Sequence, residues 1–281
     1  MTSTPPSSSM AQGLTTPKSA PPINILPTTS SKVYALVHPI LLLSLLATRF
    51  NALVADPITE LLNDLPFLAL LQVTFVMTCL PPAGSPEDDN IPKPTTPKPK
   101  PSVRRKPIPK SDSSSSAAAA AAAALSTKLI PAILSLTLTT LLATPVLTIL
   151  LVLFGAPATT HHAQTLLCAA HMAVLSSTAL IYVHGVDGNT WKEIWGANRP
   201  ADVVWGGALG TGVGAWFGAV PIPLDWDRPW QAFPITVLVG AYIGYVVGSG
   251  LGRTVLFGRR LKIEQCGAVG GGEVGEGKKV D

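Results

Sequence analysis

The chain has 281 residues, of which 47% are hydrophobic and only 13% charged, with a formal net charge of +4. Its mean hydropathy of +0.38 survives dilution by two long polar stretches, so the apolar residues must be concentrated in blocks. The basic residues are scattered around those blocks, which argues against a nucleic-acid-binding face. Cys79, Cys168 and Cys266 are odd in number and two of them fall inside apolar blocks, so no disulfide framework is implied.

A hydrocarbon layer about 30 Å thick needs roughly 20 mostly apolar residues per helix. Residues 1–31 do not qualify: rich in Pro, Ser and Thr, they cannot bury enough apolar surface to offset the entropy of ordering, and they read as a disordered tail. They also hold no short apolar core with a small-residue cleavage site, so the first span is the expected insertion signal. Six blocks have about the required length, at 33–54, 61–80, 129–154, 165–183, 203–220 and 232–251. The expected fold is an all-α polytopic transmembrane bundle of about six spans. Residues 32–80 carry the first pair of helices, 81–128 a low-complexity linker, 129–252 the other four helices and 253–281 a polar tail.

In the first span, His38 precedes Pro39, whose missing amide hydrogen frees a carbonyl one turn back that the histidine is expected to satisfy. In the second, Glu60 and Asp64 stand one helical turn apart on one face. They are candidates for headgroup or partner contact, although their nearness to the membrane boundary suggests plain hydration. The linker runs through Lys93, Lys98 and Lys100, then Arg104, Arg105 and Lys106, to a serine run and the alanines from Ala117, which as strong helix formers are expected to extend the third helix beyond the bilayer. In the fourth span, Cys168 and His171 share a helix face, with His161 and His162 upstream. Zinc ligation would need an upstream histidine to fold back from beyond the helix end, so a packed thiol and a packed imidazole are expected instead.

The last two spans carry the most regular pattern. Gly206, Gly210, Gly214 and Gly218 recur every fourth residue, and Gly240, Gly244, Gly248 and Gly252 repeat the spacing. Each ladder forms one slowly winding groove free of side chains, the usual basis of close helix association in lipid. The ladders either pack on each other or receive a partner's helix, and both can hold. The connecting loop contains Pro221, Pro223, Asp225, Trp226, Asp227, Arg228, Pro229 and Trp230. Its indoles suit a membrane interface. Asp225, Asp227 and Arg228 are expected to brace the turn; the Asp-x-Asp spacing also invites a divalent-cation reading, for which few other carboxylates are available.

Eighteen of the twenty Lys and Arg residues fall on the side of the two termini, the linker and the fourth loop; Arg49 and Arg228 fall on the other. Both termini are therefore expected in the cytosol. Lys278 and Lys279 then occupy the positions of a dilysine retrieval signal.

The run from Gly218 to Gln231, followed by Pro234, Ile235 and the glycines of the last span, closely resembles the signature of the PIG-F family, and the stretch from Trp205 to Trp216 resembles its penultimate helix. The resemblance is strong over 185–252 and weaker over the first four spans. It implies an endoplasmic-reticulum protein that binds and stabilises the transferases adding ethanolamine phosphate to mannoses of the glycosylphosphatidylinositol (GPI) anchor precursor, with no catalytic residue or cofactor to carry over. The expected partner-binding unit is Gly206, Gly210, Gly214, Gly218, Asp225, Trp226, Asp227, Arg228, Trp230, Gly240, Gly244 and Gly248, with membrane lipids as the surroundings and no nucleic acid. The alternatives are a membrane-embedded lipid phosphotransferase or a lipid transporter. Against the first, Asp187 and Gly188 lack the further aspartates of the CDP-alcohol phosphotransferase element, there is no phosphate-binding Gly-Lys-Ser/Thr loop, and the predicted lumenal loops are too short to form a catalytic domain.

Overall fold

The computed structural model describes residues 21–85, 113–224 and 226–260, without the side chains of 113–124. Asp225, most of the lysine- and arginine-rich linker, Cys266 and the Lys278–Lys279 pair lie outside the described residues.

The helices are α1 (Thr29–Ala55), α2 (Pro57–Cys79), α3 (Ser113–Leu138), α4 (Thr144–Leu153), α5 (His162–His184), the short α6 (Gly188–Trp195), α7 (Val203–Ala219) and α8 (Ile235–Arg253). Five apolar stretches are long enough to cross a bilayer: α1, α2, Leu125–Leu153, α5 and α8. The sixth block forms α7, which at 17 residues is about 26 Å long. It lies antiparallel along α8 from one end to the other.

Local chemistry sets the boundaries. Asp56 closes the α1–α2 turn: its backbone N–H donates to Ala52, and its carboxylate accepts from the N–H of Thr59, with Pro57 preset for the first turn of α2. The alanine run belongs to α3, which starts at Ser113. Between α3 and α4 the helix widens into a π turn at Thr139–Ala143. Pro145 has no N–H to give and crowds the carbonyl four residues back, and the N–H of Thr144 reaches past it to Thr139.

The centre is α5, buried almost continuously from Cys168 to Val183 except at Ser176 and Ser177. It touches α2, α3, α4, α7 and α8, while α1 packs on α2 and α8. Polar bonds cross this core. The Tyr245 hydroxyl donates to Gln72 Oε1, and Gln72 Nε2 donates to the Leu175 carbonyl, tying α8 to α2 and α2 to α5.

Structure extends into both tails. Residues 21–28 run beside the helix ends, with Leu26 N–H bonded to the Cys79 carbonyl and Ile23 N–H to Asp202 Oδ2. After α8, the N–H of Ala201 donates to Arg259 and that of Gly258 to Ala201. Residues 21–31 and 253–260, expected from composition to belong to polar tails, are therefore bonded to the bundle.

His38 differs from expectation. Its ring is buried and stacks on Phe75 at 4.5 Å, and its Nε2 has no hydrogen-bond partner. The carbonyl left open by Pro39 is that of Ala35, and it is taken by Arg253 Nη1 at 3.1 Å. A cation at the end of the last helix thus repairs the proline break in the first.

A candidate partner-binding groove

The two glycine ladders face each other. A Cβ built on Gly210 would stand 2.1 Å from the Gly244 carbonyl oxygen, and one on Gly244 would stand 2.1 Å from that of Gly210. Gly214 meets Gly240, Gly206 meets Gly248, and the register ends with Gly218 against Thr236 and Gly252 against Asp202. No side chain fits in such a seam, so only glycine permits this backbone approach.

The neighbours of each glycine then divide by face. Thr211 and Ala215 on α7, with Ala241, Tyr245 and Ser249 on α8, each follow a ladder glycine and turn into the protein. Leu209, Val213 and Phe217, with Val239, Ile243 and Val247, each precede one and line a groove of about 670 Å³ on the outer face, floored by the glycine seam. Five of these six are large exposed hydrophobics, with Phe217 at 62% and Ile243 at 50%. Phe50 and Trp230 lie at the loop end of the groove, Trp205 and Leu256 at the other. Val213, off the ladder in the sequence pattern, is thus a rim residue, whereas Val246 packs partly against the core.

Of the three residues expected to brace the loop, Asp225 lies outside the described residues. Among the described residues, Asp227 and Arg228 form no ion pair with each other, and both are exposed. Gln231 ties the loop together: its buried side-chain amide donates to the carbonyls of Pro221 and Leu224. Trp226 and Trp230 lie 6.0 Å apart at a tilt, with Trp226 half exposed.

Next to the same end of the bundle, Arg49 Nη1 lies 2.8 Å from Glu60 Oε2 and 3.1 Å from Asp64 Oδ1, with its guanidinium 5.8 Å above the Phe67 ring. Asp64 is only 6% exposed, so it is an internal carboxylate rather than the hydrated one expected from its place near the boundary. One cation serves two anions here and clasps α1 to α2.

Other candidates resolve into structural roles. Cys168 and His171 are fully buried, and His171 Nδ1 bonds the Leu167 carbonyl at 2.9 Å, while His161 is exposed and bonds Thr160. Asp187 caps α6: its Oδ2 accepts from the N–H and hydroxyl of Thr190, both at 2.9 Å, and those bonds hold its carboxyl below the usual range. Among the described residues no three His, Cys, Asp or Glu side chains converge on one point.

Glycine-seamed helices around a buried central span define a polytopic membrane protein whose distinguishing surface is a groove. The model of the GPI biosynthesis protein family Pig-F matches residues 37–253, and the chain belongs to that family. It is 60% identical over 257 residues to glycosylphosphatidylinositol anchor biosynthesis protein 11 of Aspergillus fumigatus, covering 87% of this chain and 86% of that protein. The protein of the same name from Neurospora crassa is 41% identical over 85% of this chain and 81% of its own length. The human GPI ethanolamine phosphate transferase, stabilizing subunit, is 35% identical over 105 residues, 36% of this chain and 48% of that one. No solved structure matches the chain.

Proposed function

We propose that this chain is a non-catalytic subunit that holds and stabilises an ethanolamine phosphate transferase of GPI-anchor assembly in the endoplasmic-reticulum membrane. It crosses the bilayer six times with both termini cytosolic, and a transmembrane helix of the catalytic chain lies in the groove between α7 and α8. The observation that carries this reading is the groove itself. It is apolar along its length, its floor is backbone, and its rim side chains stand in two parallel rows, a shape that receives the ridge of another helix. The human relative, a stabilizing subunit of GPI ethanolamine phosphate transferase, supplies the kind of partner. The paired tryptophans of the loop are rigid aromatics that lose little entropy on docking, and they extend the contact toward the lumenal surface.

Two measurements test this reading together. Depleting the protein should lower the amount of a transferase in the same membranes, and the purified chain alone should transfer no ethanolamine phosphate. Transfer by the isolated chain, or transferase levels unmoved by depletion, contradicts it.

A further inference from the structure

A second cavity, of about 360 Å³, lies at the end of the bundle away from the tryptophan loop, between the start of α1, the start of α7 and the end of α8. Leu36, Val203 and Phe257 give it apolar walls, and Asn24, Lys32 and Arg253 give it a polar, cationic lining. Arg253 is fixed in place by its bond to the Ala35 carbonyl, three residues beyond Lys32, so the two cations flank the same turn of α1. That bond uses one of the five N–H donors of the guanidinium. Among the described residues neither cation forms an ion pair. Asp202, the residue before Val203 of the lining, already accepts the backbone N–H groups of Ile23, Val204 and Trp205 with its carboxylate.

The cavity sits at the head of a lipid-facing track. Lys32, Leu36 and Ile40 follow one another at four-residue intervals on α1, and the two apolar side chains are 60% and 64% exposed. Two cations over an apolar stripe at the level where helices leave the hydrocarbon layer match the two halves of a phospholipid. A guanidinium fork also suits phosphate oxygens.

We infer that this cavity seats the headgroup of an anionic phospholipid, with its phosphate between Lys32 and Arg253 and an acyl chain along Leu36 and Ile40. The bound lipid bridges α1, α7 and α8 where the N-terminal segment crosses them. The inference stands on this cavity alone and does not depend on what occupies the α7–α8 groove.

The test is native mass spectrometry of the full chain in mild detergent, with equimolar phosphatidic acid and phosphatidylcholine of the same acyl chains. The wild type should retain phosphatidic acid preferentially. Each cation near a membrane surface contributes a factor of about five, so the preference should fall about fivefold in Lys32→Gln and on the order of thirtyfold in the double variant with Arg253→Gln. Arg253→Lys should keep most of it, separating charge from the bond to Ala35. Lys192→Gln, an exposed cation of α6, should change nothing. Should Arg253→Gln fail to fold, the exposed Lys32→Gln decides alone. Equal retention of phosphatidylcholine, an unchanged preference in Lys32→Gln, an equal loss in Lys192→Gln, or displacement by excess inorganic phosphate would each overturn the assignment.

Discussion

A single added methyl group separates the glycines that make the seam from those that do not. Gly210→Ala places a carbon 2.1 Å from the Gly244 oxygen, a backbone atom that cannot move aside alone, whereas Gly212→Ala meets nothing within 4 Å. Gly210→Ala should cost at least the 1 to 3 kcal/mol typical of overpacking, while Gly212→Ala should be neutral or stabilise by up to about 1 kcal/mol through helix propensity. Thermal unfolding in detergent reads both, and equal melting temperatures for the two variants would remove the seam from the account. At Pro39 and Arg253 the logic is a double-mutant cycle. Arg253→Ala should cost about 1 to 2 kcal/mol in the natural chain and less in a Pro39→Ala background, where the restored amide can bond the Ala35 carbonyl itself. Additive effects would mean that Arg253 does not repair the proline break. The ladder is legible in sequence because a repeat of four survives any tertiary context. The Pro39–Arg253 repair is not, because 214 positions separate the two residues and only the fold brings them together.

At the scale of elements, the α1–α2 hairpin depends on one charge cluster. Asp64 is buried, and if Arg49 becomes Met it loses the one counter-ion it has among the described residues. Breaking a buried pair costs about 3 to 5 kcal/mol, but Arg49 keeps about a third of its side chain exposed, so about 1 to 3 kcal/mol is expected. Asp64→Asn in the Arg49→Met background should recover part of that loss, and the test is whether the double variant melts above the single one. The sequence shows Glu60 and Asp64 on one face but not their pairing with Arg49, because a helix wheel does not say which residue of the preceding helix faces it. The helices themselves were largely legible. Apolar blocks locate the five bilayer-length helices and α7 to within a few residues, and the glycine repeat gives α7 and α8 a packing face. What the repeat left open was the occupant of that face, since a side-chain-free stripe fits its twin and a stranger equally well. The structure fills the stripe with its twin and moves the free surface one residue over, to Leu209, Val213, Phe217, Val239, Ile243 and Val247.

For the whole molecule, the distribution of Lys and Arg predicts that both termini are cytosolic. A glycosylation acceptor engineered into 221–231 should be modified and one at 95–115 should not; the reverse pattern would invert the topology. Separating seam from groove also changes how partner binding is to be read. Substituting a ladder glycine breaks the α7–α8 hairpin first, so any loss of partner that follows is indirect. Only a rim position, exposed and away from the seam, reports on the partner itself. The most direct measurement is therefore site-specific photocrosslinking in native membranes, with a photoreactive residue at Val213 or Ile243 in the groove and at Ile130 or Leu142 on the exposed face of the third span. A crosslink from Val213 and Ile243 to an ethanolamine phosphate transferase is expected, and none from Ile130 and Leu142. Crosslinks from the groove to lipid alone, or equal transferase capture from both faces, would contradict it.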